Sequence, residues 1–183
     1  MHGFLYIQQQ KATKNVMLYI FVLASCLLST PVLAQVDTAQ ARQVFAEVNQ
    51  QLSQLKKASF KAKRPDVDYT SNVKVWRDDS GVRKLEVTDL DDSGDVMTEY
   101  YFEGGKLVFV YQAVKGFNDA NKQVTRHEER QYFRADKMFK WLSGTDKAEV
   151  APKSGDFATE ATTRLAASAF YAKAAAQAIN AKQ

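Results

Sequence analysis

The sequence predicts an α+β domain in which an antiparallel meander of about six strands carries an N-terminal and a C-terminal helix. Apolar residues recur at helical spacing over residues 37–58 and again over 157–180, whereas they alternate with polar residues over 70–142. Short polar turns separate most of the alternating runs, which favours hairpins over crossover connections. Two helices packed on the sheet would complete a domain of two layers.

The first 34 residues have the order of a secretory signal peptide. Lys11 and Lys14 precede an uncharged run over 16–34, and small residues end that run before Gln35. Cleavage after residue 34 would leave 35–183 as a single domain, long enough to bury a core without disulfides. The sequence therefore predicts a periplasmic or secreted protein.

Two other interpretations of this segment remain open. Leu23-Ala24-Ser25-Cys26 resembles a bacterial lipobox, in which Cys26 would carry the lipid anchor. An uncleaved 16–34 is just long enough to anchor the chain in a bilayer. Pro31 and the small residues before Gln35 favour cleavage, after which we expect no stable transmembrane segment.

Cleavage would also reduce the chemistry that the chain carries. Cys26 and His2 would leave with the signal, so His127 would be the one remaining histidine and no cysteine would remain. That inventory excludes disulfides, a cysteine nucleophile and a zinc site rich in cysteine or histidine, and we expect no cofactor. The 25 basic and 21 acidic residues nearly balance, which together with export gives no reason to expect nucleic acid as a partner.

The helix over 37–58 has Asp37 as its predicted N-cap and Gln40 as the reciprocal partner. Its apolar stripe consists of Phe45, Val48, Leu52 and Leu55. A basic linker follows and closes at Pro65. Its charges are Lys56, Lys57, Lys61, Lys63 and Arg64. These charges suit a helix C-terminus and a solvated linker better than a surface for an anionic partner.

Alternating runs rich in Val, Tyr, Phe and Thr predict the strands. They lie at 73–76, 84–87, 96–103, 106–114, 123–134 and 137–142. Strict alternation places Tyr100, Phe102, Phe109 and Tyr111 on one face, against Tyr101, Val108 and Val110. Helices on one side alone would leave the other face partly apolar, which predicts a curved sheet around a pocket or a partner surface.

The longest connection between the strands, 115–122, is polar and predicts a loop. After Trp141, glycine and proline residues predict an irregular connection, which leads to the second helix over 157–180. The apolar stripe of that helix consists of Phe157, Ala161, Leu165, Ala169, Ala172, Ala176 and Ile179. A stripe made mostly of alanine lets a helix pack close to the sheet.

Two segments, 98–112 and 129–143, align with each other without gaps. In each, an aromatic pair, Tyr101-Phe102 or Tyr132-Phe133, precedes a two-residue turn, a lysine and an apolar residue. This pattern resembles the β-hairpin units of MORN-type repeats and their bacterial antitoxin-like relatives. The resemblance implies two similar hairpins in one sheet and carries no function across.

Residues 89–96, DLDDSGDV, follow the order of the first ligands of a calcium-binding loop. The candidate metal ligands are Asp89, Asp91, Ser93 and Asp95. An EF-hand loop also needs a glutamate at position twelve, where Tyr100 stands, and a helix on either side. The same Asp-Asp-Ser-Gly tetrad occurs at 78–81 and 91–94, each ahead of a strand. Two hairpin turns explain this repetition better than a metal site does.

His127 is the low-ranked catalytic candidate, in the run Arg126-His127-Glu128-Glu129. A metalloprotease motif would need a second histidine where Gln131 stands, and the chain has no GxSxG nucleophile elbow. A strand whose alternating charges pair with its neighbours explains the run. The alternative function is a small exported hydrolase that uses His127 with a nearby carboxylate.

Aromatic residues concentrate between residues 100 and 141. Most must belong to the core, but aromatics on both faces predict a functional pocket or interface for some. The candidates are Tyr100, Tyr111, Phe117, Tyr132 and Trp141. The leading hypothesis is an exported, non-enzymatic binding module for a protein, glycan or lipid of the cell envelope. A third possibility is an immunity-like or inhibitor-like protein that caps one partner.

Overall fold

The computed structural model describes residues 38–91, 94–117, 124–144 and 146–180. Helix α1 (Ala39–Gln51) precedes the strands, and helix α2 (Gly155–Asn180) follows them. The strands are β1 (Lys56–Ala62), β2 (Ser71–Asp78), β3 (Gly81–Asp91), β4 (Gly94–Glu103), β5 (Lys106–Phe117), β6 (Val124–Arg134), β7 (Lys137–Ser143) and β8 (Ala148–Glu149). They form one antiparallel sheet of eight strands in which each pairs with its sequence neighbours, so the predicted meander is confirmed.

The two helices pack on opposite faces of the sheet. Tyr100 on β4 belongs to a buried cluster that includes Tyr171 of α2, whereas the adjacent Tyr101 is buried with Val44 and Val48 of α1. Because successive side chains of a strand point to opposite faces, α1 and α2 cover different sides, called here the α1 face and the α2 face. The domain thus has three layers rather than the expected two, which explains why the central strands are apolar on both sides.

The first helix is shorter than its pattern predicts, and the sheet begins earlier. α1 ends at Gln51, and the predicted helix end and basic linker instead form β1. Ala58, Phe60 and Ala62 alternate with exposed residues and pack against the α2-face cluster. The sequence did not indicate a strand here, because the exposed Lys57 and Lys61 make the segment resemble a solvated linker. Asp37 lies outside the described residues, and Thr38 is the N-cap of α1 without a side-chain cap hydrogen bond.

β1 and β8 account for the difference between eight strands and about six. The six predicted runs correspond to β2 through β7. β5 continues to Phe117 and β6 begins at Val124, so the predicted loop is partly strand; residues 118–123 lie outside the described residues.

Most of the predicted stripe of α2 faces the sheet, because Phe157, Ala161, Leu165, Ala172 and Ile179 belong to the α2-face cluster or pack against it. Ala169 and Ala176 are exposed. The buried residues of this helix are Phe157, Ala167, Ser168, Tyr171 and Ala175. The buried stripe also includes Arg164, whose side chain is only 13% exposed and lies 2.5 Å from the carboxylate of Glu160. A stripe predicted from apolar residues alone does not include this paired arginine.

Hairpins β4–β5 and β6–β7 have the same construction. Their two-residue turns, Gly104-Gly105 and Ala135-Asp136, have all four φ angles between 49° and 75°. This is the left-handed conformation that a type I′ hairpin turn requires. In each hairpin the register shifts directly beyond the turn, between Tyr101 and Phe102 and between Tyr132 and Phe133.

These register shifts change which side chains share a face. In β5 the shift places both Val108 and Phe109 on the α1 face, beside Tyr101. Phe109 and Tyr111 therefore lie on the face opposite Tyr100 and Phe102, and the expected grouping of these four is wrong. The bulge assembles the aromatic surface beneath α1.

Residues 1–34, with the signal peptide and the Cys26 and anchor alternatives, lie outside the described residues. Across the described ranges, neither helix combines the length and the apolar character needed to cross a bilayer.

Candidate functional site

A cavity of about 580 Å³ opens on the α1 face, between α1 and the strands β5 to β7. Its apolar lining consists of Ala41, Phe45, Phe109, Tyr111, Tyr132 and Leu142. Its charged lining consists of Arg42, Glu99, Glu128, Arg130 and Lys147. The volume lies within the range of small-molecule sites, about 300 to 1,000 Å³.

The floor of the cavity belongs to a row of aromatic rings that crosses four strands. Ring centroids are 5.8 Å apart between Tyr101 and Phe109, 5.1 Å between Phe109 and Tyr132, and 6.3 Å between Tyr132 and Phe139. Phe45 of α1 packs edge-on against Phe109 at 5.7 Å, yet it remains 39% exposed. Rings held by their neighbours form a preorganised apolar surface, and Phe45 leaves part of it open to solvent.

The acids of the cavity lining have basic partners of their own. Glu128 lies 2.6 Å from the guanidinium of Arg130, which in turn lies 5.6 Å from the centre of the Tyr111 ring. Glu99 lies 2.7 Å from the ammonium of Lys84. These pairs neutralise the carboxylates and orient Arg130 over the aromatic floor.

A buried polar cluster beside the cavity joins α1 to the sheet. The side chain of Lys84 is only 5% exposed, and its ammonium also donates to Asn49 Oδ1 on α1 at 3.2 Å. The Tyr101 hydroxyl donates to Glu99 Oε2 at 2.7 Å, and Lys84 Nζ stands 5.0 Å from the Tyr101 ring centre. Burial, followed by the Glu99 carboxylate, raises the pKa of Tyr101, so its hydroxyl remains a donor.

The sequence did not reveal this cluster. In β3, Lys84 and Glu86 alternate with Leu85 and Val87, as the outward-facing side chains of a solvated strand would. Trp76 was the one residue of the sequence that pointed to this cluster. It pairs with Lys84 across β2 and β3, and the Lys84 ammonium lies 5.5 Å from the Trp76 ring centre. Because a tryptophan side chain buries a large apolar area, Trp76 could have indicated that this face is covered.

The five aromatic candidates divide between the two faces. Tyr111 and Tyr132 line the cavity. Tyr100 and Trp141 lie on the α2 face, against Tyr171 at 6.5 Å and Phe157 at 6.4 Å. The side chain of Phe117 lies outside the described residues. The first pair therefore belongs to the candidate site, whereas the second pair belongs to the packing beneath α2.

Of the residues that line the cavity, only Tyr111 and Tyr132 were among the sequence candidates. The missed residues include Arg42, Phe45, Phe109 and Lys147. Phe109 stands two residues before Tyr111 on the same strand face, and Arg42 stands one helical turn before Phe45. These spacings could have indicated the first three, whereas nothing in the local pattern indicates Lys147.

The aspartate-rich segment forms part of a hairpin. Asp89 pairs with Val96 and Leu90 with Asp95, so strands rather than helices flank the segment. Asp89 and Asp95 consequently point to opposite faces of the sheet and cannot bind the same ion. Ser93 lies outside the described residues, as does the side chain of Asp91. Within the described part of the chain, no three acids, histidines or cysteines cluster as metal ligands would.

The first copy of the tetrad shows how this sequence makes a turn. Asp78 Oδ1 accepts a hydrogen bond from the backbone N–H of Ser80 at 2.8 Å, and Gly81 has a φ of 128°. An aspartate that caps its own turn, followed by a glycine with positive φ, is typical of a hairpin connection.

His127 lies at the edge of the α2 face, with a carboxylate and a hydroxyl close by. Its Nε2 atom is 3.3 Å from Glu129 Oε1 and 3.4 Å from Ser143 Oγ. A catalytic triad places the carboxylate on one ring nitrogen and the nucleophile on the other. Here both groups contact the same nitrogen, so the three side chains do not form a proton relay.

The sequence matches no protein-family model, and no similar protein is found among curated proteins or solved structures. The geometry of the described residues is therefore the basis for a functional assignment. Among the described features, the cavity beside α1 combines accessible volume, a rigid apolar floor and converging charges.

Proposed function

We propose that this chain is an exported, non-enzymatic binding protein that holds an apolar or amphiphilic small molecule in the cavity beside α1. The observation that carries the proposal is the row of aromatic rings along the floor of a cavity of about 580 Å³. Export rests on the order of residues in the first 34 positions.

The cavity suits binding because its apolar surface is fixed before a ligand arrives. Phe109 touches Phe45, Tyr101 and Tyr132, which restricts its ring to one orientation. A ligand that covers Phe45 and the floor would remove apolar surface from water, at about 25 cal/mol for each Å². Little affinity would be lost in ordering the site, because the rings are already held in place.

The polar groups of the cavity favour binding over catalysis. Among the described residues, the lining contains no histidine, cysteine, serine or threonine. Its acids, Glu99 and Glu128, each pair with a base at 2.6 to 2.7 Å. Groups held in this way can orient a ligand but offer no free nucleophile or general base.

The neutral fluorescent dye Nile red can test the cavity. Tyr111→Ala removes a half-buried ring from the lining and should weaken dye binding about tenfold, with a modest loss of folding stability. Phe60→Ala is the matched control, because Phe60 is half-buried on the α2 face and away from the cavity. It should reduce stability to a similar extent and leave the affinity for the dye unchanged.

Two results would count against a binding cavity. The first is a dye that fails to bind the unaltered protein, and the second is an equal effect of both substitutions on affinity. Native mass spectrometry of protein extracted gently from a bacterial envelope would then identify what is bound instead. A stoichiometric protein companion in that spectrum would favour the partner-capping function.

The alternative of a small hydrolase draws on the 3.3 Å separation between His127 and Glu129. The shared ring nitrogen counts against it. Any hydrolytic activity of the purified protein should therefore survive His127→Ala. Loss of that activity in a folded His127→Ala protein would favour the hydrolase.

A further inference from the structure

The charges around the cavity do not cancel once the internal ion pairs are considered. Glu128 is paired with Arg130, and Glu99 with Lys84. Arg42 and Lys147 also line the cavity, and neither has an acidic partner among the residues that the structure describes. The cavity therefore presents two uncompensated positive charges beside an aromatic floor.

These two cations come from different walls of the cavity. Arg42 belongs to α1, one helical turn before Phe45, whereas Lys147 lies in the turn between β7 and β8, where its φ is 57°. The apolar residues Phe109 and Tyr132 lie on the strands between these walls. A ligand with its body on the floor could thus meet charge from both sides.

We propose that the cavity selects amphiphiles with an anionic head group. This inference rests on the proposed binding function and names its ligand class. The aliphatic body lies on Phe109, Tyr132 and Phe45, the anionic head pairs with Arg42, and Lys147 adds positive potential from the other wall. The guanidinium fork of Arg42 matches the two oxygens of a carboxylate or phosphate, and Lys147 adds a second point charge.

Charge complementarity distinguishes an anionic head from other head groups. Two unpaired cations attract an anion, repel an ammonium head and give a neutral hydroxyl head no charge–charge attraction. The paired acids Glu99 and Glu128 provide no free negative charge for a cationic ligand. The length of the tail should contribute separately, because each added CH₂ group that reaches the floor tightens binding about fourfold.

Displacement of Nile red by three ligands of equal tail length tests this inference. We expect decanoate to bind about tenfold more tightly than decanol, and decyltrimethylammonium to bind most weakly. Arg42→Gln/Lys147→Gln should weaken decanoate to the level of decanol and leave decanol itself unchanged. Lys153→Gln/Lys173→Gln removes the same charge from exposed sites outside the cavity lining and should preserve the preference for decanoate.

The possible outcomes separate this inference from the proposed function. If the dye binds and the three ligands displace it equally well, anion selection is wrong although the cavity binds apolar molecules. A preference for decanoate that survives Arg42→Gln/Lys147→Gln would also overturn it. If neither dye nor ligand binds, the proposed function itself fails, and the inference fails with it.

An anionic head can belong to a free carboxylate or to a lipid. Native mass spectrometry of protein incubated with vesicles of phosphatidylglycerol, or separately with decanoate, distinguishes these sources. Uptake of phosphatidylglycerol assigns the head group to a lipid, and uptake of decanoate alone assigns it to a free acid. Either adduct supports anion binding when it is lost in Arg42→Gln/Lys147→Gln, and the absence of both contradicts it.

Discussion

Replacing Lys84 by methionine should destabilise the domain more than any exposed lysine substitution would. The substitution keeps most of the side-chain volume but removes a charge that is 2.7 Å from Glu99. It also removes the hydrogen bond to Asn49 and the cation that faces the Tyr101 ring. The surrounding residues would then hold a carboxylate without its counter-ion.

The environment of Glu99 sets the size of this effect. Removing one partner of a buried ion pair costs about 3 to 5 kcal/mol, because the other charge stays desolvated. Glu99 retains the hydrogen bond from the Tyr101 hydroxyl and is 14% exposed at the cavity. Both features reduce the expected loss of stability. We therefore expect the free energy of unfolding of Lys84→Met to fall by about 3 kcal/mol.

Urea unfolding followed by circular dichroism measures this change, and a second substitution identifies its cause. Lys84→Met/Glu99→Gln removes both charges and should recover about half of the lost stability. Lys106→Met is the matched control, because Lys106 is exposed and pairs with an exposed aspartate, so it should change stability by less than about 1 kcal/mol. A loss below about 1 kcal/mol for Lys84→Met, or no recovery in the double variant, would refute the role assigned to the pair.

Two further predictions concern the hairpin turns and the buried tyrosines. Ala135→Gly should stabilise the domain by about 1 kcal/mol and Gly104→Ala should destabilise it by a similar amount, because both positions have φ near 50°. Thermal unfolding measures both changes. Two changes of the same sign would contradict the turn geometry. Burial raises the pKa of Tyr171 to about 12 from the ordinary value of 10.0. Between about pH 10 and pH 12 the unfolded chain loses this proton before the folded chain does, so stability should fall by at most about 1.4 kcal/mol per pH unit. Tyr171→Phe should remove that part of the slope in urea unfolding at alkaline pH, and an unchanged slope would mean that Tyr171 titrates normally.

The strand pattern could be predicted because its period is local. Alternation identified the six runs that became β2 to β7, and the repeated aromatic pairs marked two hairpins that the structure builds alike. β1 escaped detection because its lysines resemble a solvated linker. β8 is only two residues long and has no period to detect.

The assignment of residues to faces could not be predicted, because it depends on the bulges. Counting strictly from Leu107 places Phe109 and Tyr111 with the residues beneath α2. The extra residue at Val108 reverses this parity and brings both rings to the cavity. A shift of one residue in register moves every later side chain to the other face, so alternation alone could not choose between Tyr111 and Trp141.

The cavity charges depended on contacts between residues distant in sequence. Glu99 lies opposite Glu86 in the sheet, yet it forms its ion pair with Lys84, two residues before Glu86 on β3. Sequence composition counts both carboxylates of the cavity as negative, whereas the fold neutralises them and leaves Arg42 and Lys147 unpaired within the described residues. The sign of the net charge in the cavity is therefore set by the tertiary structure.

The position of β1 has a consequence for self-association. β1 pairs with β2 alone and leaves its other edge without a strand partner among the described residues. Unprotected edges invite strands from a second copy and are a common origin of aggregates. Lys56, Lys57 and Lys61 stand exposed along this edge, so a second copy aligned edge to edge would bring like charges together. We therefore expect the basic segment to oppose sheet extension, and β8 at the opposite edge has only two residues to offer as a template.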